Sequence, residues 1–258
     1  MQIEALLFVN WIFWAGLSAG TVLVVGLTEL LGGTTRGYRL FMAWLLVALA
    51  ALLVASDFAL PLGVQASATV ELRRPLALAF GAGCVAYLAA SVMELPRTWL
   101  AIGTGVIGLI ALVVLAAAGG SRSAPLFAGQ LVLAALALGA VNAAMLLGHW
   151  YLVTPKLSPA PLRRMMWLLI GCLILQGLAF AAALIGGGDA LSGGIGWLTW
   201  LRLAVGILLP ILITVLAILA SRAASLQAST GLLYIGLALI MAGSIAGSSI
   251  TYLTGIPV

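Results

Sequence analysis

Apolar residues fill this chain in long unbroken runs, and the polar positions collect in short clusters between them. A run of about 20 apolar residues crosses the hydrocarbon of a bilayer as a helix, because a helix satisfies its own backbone donors and acceptors. The runs predict eight such helices, at about Ala5 to Leu31, Tyr38 to Gly63, 75 to 94, 98 to 118, 125 to 153, 162 to 186, 197 to 221 and 230 to 254. The clusters between them are LGGTTRGYR, GVQASATVELRRP, ELPRT, AAGGSRSAP, TPKLSPAPLRR, GGGDALSGG and SRAASLQAST. Their Gly, Pro and Ser content breaks helices, and none is long enough for a linker. The pattern therefore predicts an all-α integral membrane protein, a bundle of about eight transmembrane helices forming a single polytopic domain over residues 1–258. A division into two four-helix halves, about 1–120 and 121–258, stays open, since no sequence repeat links them.

Composition agrees with the pattern: 64% of residues are apolar, 7% are charged, and the mean hydropathy is +1.28. A pI of 9.8 and a net charge of +5 would point to nucleic acid in a soluble protein. Here the basic residues sit at span ends, where they set topology among membrane lipids, so no nucleic-acid partner is expected. The connections on one side hold Arg36, Arg39, Arg97, Lys156, Arg163, Arg164 and Arg222, seven cations against Arg73, Arg74, Arg122 and Arg202, four on the other. The positive-inside rule then places both termini on the outer side of the membrane. Acidic residues lean the opposite way, with Glu29 and Glu94 inside and Glu4, Asp57, Glu71 and Asp189 outside. The start, MQIEALLFVNW, lacks the basic region of a cleaved signal and reads as a retained first span.

An ionisable group inside a span costs about 2.5 to 3.5 kcal/mol on insertion scales unless it is paired or hydrated, so each one raises a functional question. Asp57, in LLVASDFALPLG, lies in the outer third of the second span and is the first candidate, as a carboxylate exchanging protons beside a ligand pocket. Arg202 enters the seventh span at similar depth, which allows an Asp57–Arg202 ion pair. Glu29 and Glu94 lie near helix ends, where they can snorkel or pair with Arg36, Arg39 or Arg97. The lone histidine, His149, shares a helix face with Asn142 and Met145 and stands beside Trp150 and Tyr151. It fits an interfacial anchor, a headgroup ligand or a proton relay. Tyr87, Gln130 and Gln176 are further polar groups that can bond a headgroup or simply another helix.

Several chemistries lack their residues. One histidine cannot supply both axial ligands of a bis-histidine haem, and Met145 and His149 on one helix cannot face each other across one. Cys84 and Cys172, each inside an apolar run, read as packed thiols rather than a metal pair or disulfide. The single lysine, Lys156, sits in a loop, away from any retinal site, and no Gly-rich loop ends in Lys-Ser or Lys-Thr for a nucleotide. The stretch GGSRSAP has a phosphatase-like Ser-Arg pair but lacks the Ser/His segment that such enzymes need. GLSAG (Gly16, Gly20) and GSIAG (Gly243, Gly247) space small residues for close helix packing. Pro210, in GILLPILIT, should distort the seventh span near Arg202.

The amino-terminal part resembles the NrfD/PsrC family, the membrane subunits of polysulfide-reductase-type respiratory complexes. The likeness is carried by FVNWIFWAGLSAGTVLVVGLTEL, by the turn TTRGYR and by ASDFALPLG, and it spans residues 1 to about 65, with no family motif in the second half. It implies a haem-free subunit that binds a quinone, menaquinone or ubiquinone, near the outer face and docks an iron-sulfur or cytochrome partner in a hetero-oligomeric complex. On that basis Asp57 would exchange the quinone proton, with Trp11, Trp14, Arg202, His149 and Tyr87 around the ligand. A small-solute or proton transporter, with Glu29, Asp57, Glu94 and His149 along a path, and a purely structural scaffold are the rival expectations.

Overall fold

Eight helices long and apolar enough to cross a membrane follow one another along the described residues. The computed structural model describes residues 3–60, 67–118, 124–154, 157–256 and 258, and at 3–5, 67–71, 117–118, 124 and 186–192 it describes the backbone alone. Arg122, Lys156 and most of GGSRSAP lie outside the described residues, as do the side chains of Glu4, Glu71 and Asp189.

The spans are α1 (Ile3–Leu30), α2 (Arg36–Ala59), α3 (Ser67–Val92), α4 (Thr98–Ala118), α5 (Ala124–Val153), α6 (Ala160–Ser192), a composite seventh, and α9 (Leu226–Thr254). The seventh runs through α7 (Gly196–Trp200), a π-helical segment (Leu201–Leu208) and α8 (Leu209–Arg222). Short connections make successive spans antiparallel, so α1, α3, α5 and the seventh share one direction. Two ends of the bundle follow from this: the Asp57 end, where α2 finishes and α3 begins, and the Glu29 end, where α1 finishes.

One boundary differs in a way that matters. The sequence pattern starts the third span at Pro75, the favoured first position of a helix, and leaves Arg73 and Arg74 in a loop. Instead the helix begins at Ser67 and carries Pro75 in its interior, which brings both arginines onto α3.

The helices close into two rings of four. In the first half α1 and α3 each pack on α2 and α4; in the second, α5 and the seventh span each pack on α6 and α9. The halves meet chiefly along α1 and α5. At their crossing a Cβ on Gly20 would run into the carbonyl of Ala135, and one on Gly139 into the backbone of Gly20. Only glycine permits that backbone approach. The GSIAG motif acts in the same manner, with Gly243 meeting Gly206 of the π segment. Outward-facing positions carry bulky apolar side chains such as Trp99, Leu178 and Ile185, a surface suited to lipid tails and not to water.

Pro210 accounts for the π segment. Its missing N–H breaks the ordinary ladder one turn earlier, and the backbone switches to wider turns, with the Leu209 N–H donating to the Ala204 carbonyl. The buried positions there are Arg202, Gly206 and Ile207, the spacing of a widened helix.

Two buried guanidinium clusters as candidate functional sites

The first cluster sits at the Asp57 end of the first half. The buried stripe of α2 runs from Tyr38 at helical spacing and ends on Ser56 and Asp57. Trp11 Nε1 and Arg73 Nε both donate to Asp57 Oδ1, at 3.0 and 2.7 Å. Arg74 Nε donates to Oδ2 at 3.1 Å. Asp57 and Arg73 are fully buried, while Arg74 is 30% exposed. Arg73 also lies over the Trp11 ring and Arg74 over that of Phe58, at 5.5 and 4.7 Å to the centroids. Beside them Trp14 Nε1 donates to Asn10 Oδ1, and Asn10 Nδ2 to Ser56 Oγ. Asp57 thus ties α1, α2 and α3 together with both carboxylate oxygens engaged. The expected Asp57–Arg202 pair is not formed: the counter-ions of Asp57 come from the start of α3, the stretch assigned to a loop.

Arg202 stands in the second half and is 2% exposed. Its Nη2 donates to Gln176 Oε1 of α6 at 2.6 Å, and Gln176 Nε2 donates to the Leu133 carbonyl of α5 at 3.1 Å. No carboxylate side chain among the described residues forms an ion pair with it. Arg202 Nε has no hydrogen-bond partner, and neither amide atom of the buried Gln130 has one. Arg202 and Gln130 line a small, partly open cleft of about 20 Å³ with Phe127, Ser244, Ser248 and Thr251. That volume seats one oxygen-sized group. Val258 also borders the cleft, on the side of Gly247. A buried polar atom without a partner costs about 1–3 kcal/mol, more when the group is charged, so this arrangement favours an acceptor entering from outside.

Tyr87 and His149 belong to neither cluster. Tyr87 Oη donates to Glu29 Oε1 at 2.7 Å, and Arg97 lies 3.5 Å from the same oxygen. Glu94 pairs with Arg36 at 2.9 Å on the surface, with both side chains more than half exposed. Glu29 and Glu94 therefore each have a local cation, as their positions near helix ends led one to expect. Replacing Tyr87 with phenylalanine should leave Glu29 one donor short, at a cost of about 1–3 kcal/mol, read as a lower thermal midpoint in detergent. An unchanged midpoint would show that Arg97 and Thr98 satisfy the carboxylate without Tyr87.

His149 is exposed, with its Nδ1 3.4 Å from the Tyr234 hydroxyl and the rings edge to face. Asn142, which shares its sequence stripe, is instead buried and donates to Thr21 Oγ1 of α1 at 3.2 Å. The stripe is divided between interior and perimeter. His149→Gln should shift stability by less than about 0.5 kcal/mol, the usual range for a surface change, in the same thermal assay. A large loss would mean the imidazole has a partner of consequence.

The six predicted site residues therefore separate: Trp11, Trp14 and Asp57 stand together, Arg202 lies in the other half, and Tyr87 and His149 lie toward the Glu29 end. Sequence reasoning took Arg73 and Arg74 for topology markers, and it noted Gln130 and Gln176 without joining them to Arg202. Glu29, Asp57, Glu94 and His149 make contacts with separate partners and none with one another. Among the described residues no three His, Cys, Asp or Glu side chains gather as a metal site. No family model, no curated protein and no solved structure matches the chain.

Proposed function

We propose that the protein is a haem-free membrane subunit of a respiratory electron-transfer complex, binding quinone or quinol in its outer half and docking a redox partner. What supports the reading most is the Arg202 cleft, in which a guanidinium and an amide, both buried, keep donors without partners. A quinone oxygen is an acceptor of the size the cleft admits. Arg202 and Gln130 would donate to it, Gln176 would hold the guanidinium in place, and Phe127 borders the site on its apolar side. Bound there, a quinone would supply two-electron, two-proton chemistry.

The residue inventory argues for borrowed redox centres. One histidine and two cysteines set 88 positions apart give no ligand set for haem or an iron-sulfur cluster, so those groups are assigned to an iron-sulfur or cytochrome partner. Asp57 serves in this reading to fix α1, α2 and α3 around the first half. Proton exchange at Asp57 would require one of its three N–H contacts to open.

Both termini are assigned to the periplasmic side of a bacterial cytoplasmic membrane. The count of Lys and Arg by side, seven against four, supports the assignment. Purification from native membranes in mild detergent tests the proposal. Iron-sulfur or multihaem cytochrome companions together with extractable quinone are expected. A homo-oligomer with neither would contradict it and revive the transport reading.

A further inference from the structure

We infer that the two halves carry the same buried site twice, and that Gln176, standing where the first half has Asp57, leaves Arg202 as the cation that selects a ligand presenting an oxyanion. This rests on the Arg202 cleft being the ligand site and deepens that reading.

The correspondence is one of place and role. In each half a polar residue on the second helix joins the first helix to an arginine on the third. Asp57 of α2 takes the Trp11 N–H from α1 and the Arg73 N–H from α3. Gln176 of α6 gives its N–H to Leu133 of α5 and takes the Arg202 N–H from the seventh span. The two arginines enter their spans from the same end, since α3 and the seventh run in one direction. Along the first helices, Trp11 and Gln130 occupy matching early positions, and Gly20 and Gly139 meet at the seam between the halves.

What differs is charge. A carboxylate completes the first site, and its two oxygens accept every N–H that the three neighbours aim at it. An amide holds the arginine of the second site equally close but brings no charge. Among the described residues no carboxylate side chain pairs with Arg202, so its buried guanidinium is penalised for its charge as well as for its unmade hydrogen bonds. The neutral carbonyl of a quinone relieves the missing hydrogen bonds but not the missing charge; an anionic oxygen relieves both. Room for a single oxygen-sized group, with the donors of Arg202 and Gln130 at its wall and Ser244, Ser248 and Thr251 lining it, suits that atom. For a quinol the matching form is its monoanion, made by loss of one proton from a hydroxyl to water at the cleft mouth, with no electron transferred in that step. A phosphate oxygen has the same chemistry.

The test uses the purified full chain and three probes: 2-hydroxy-1,4-naphthoquinone, which is an anion at neutral pH, its neutral 2-methoxy counterpart, and inorganic phosphate. Binding is read by calorimetry, with thermal midpoints recorded for every variant. The wild type should prefer the hydroxyquinone by about tenfold or more. Gln176→Glu, which supplies the carboxylate of the first half, should fold at least as stably and lose the preference, and Arg202→Gln should lose it too. Equal affinity for the two quinones in the wild type overturns the inference and leaves the quinone reading standing, as does a preference that survives in Gln176→Glu. Phosphate binding that is lost in Gln176→Glu, with no quinone bound, upholds the oxyanion and removes the quinone. Absence of binding by all three probes overturns both.

Discussion

Asp57→Asn is expected to lower the stability of the bundle by about 3–5 kcal/mol, the cost of removing one partner from a buried ion pair. The amide still offers one oxygen to Trp11 and Arg73, so the missing quantity is charge. Arg73 has no route to water at 1% exposure, whereas Arg74 is partly exposed and can rehydrate. The penalty should therefore follow Arg73. Replacing both members of the pair by apolar residues, Asp57→Leu with Arg73→Met, should recover most of the loss, because a well-packed apolar pair is often as stable as the ion pair it replaces. Thermal unfolding in detergent, followed by tryptophan fluorescence, reads all three proteins. A single substitution costing under about 1 kcal/mol would mean that Asp57 is not the counter-ion of Arg73.

Gly20→Val should be the most damaging change at the seam between the halves. Overpacking a core costs about 1–3 kcal/mol when side chains can shift. Here the added Cβ meets the Ala135 carbonyl and the Gly139 amide, backbone atoms that give way only if α1 and α5 part. The expected result is a loss at or beyond the top of that range, seen as little protein recovered from membranes and a depressed thermal midpoint. Gly16 of the same motif supplies the comparison. Its Cβ would sit 3.6 Å from Leu138 Cδ1, an ordinary contact, so Gly16→Ala should be tolerated within about 0.5 kcal/mol. Equal tolerance at both positions would place the helix crossing elsewhere.

These two glycines show what the linear pattern can and cannot convey. Small residues four apart mark a face, but only the crossing point decides which of them meets a backbone. The eight spans were legible because hydrocarbon thickness fixes the length of an apolar run, and polar breaks cannot sit inside it. Asp57 was legible as a costly residue in a span. Its partner was not, because Pro75 mimics a helix start and hides the turns before it, and because several cations lie at that end with nothing local to rank them. Arg202 and Gln176 are 26 residues apart on neighbouring spans, and neither has a period or motif that names the other. The likeness of the two clusters lies in helix order and in the place of the arginine, and no sequence repeat records it.

The central claim is that the open, charged site at Arg202, and not the closed one at Asp57, holds the ligand head. Quinone extracted from protein purified out of native membranes, quantified per chain by chromatography, tests it most directly across the wild type, His149→Gln and Arg202→Gln. The account predicts that the wild type and His149→Gln retain quinone and that folded Arg202→Gln does not. Full retention in Arg202→Gln would contradict it.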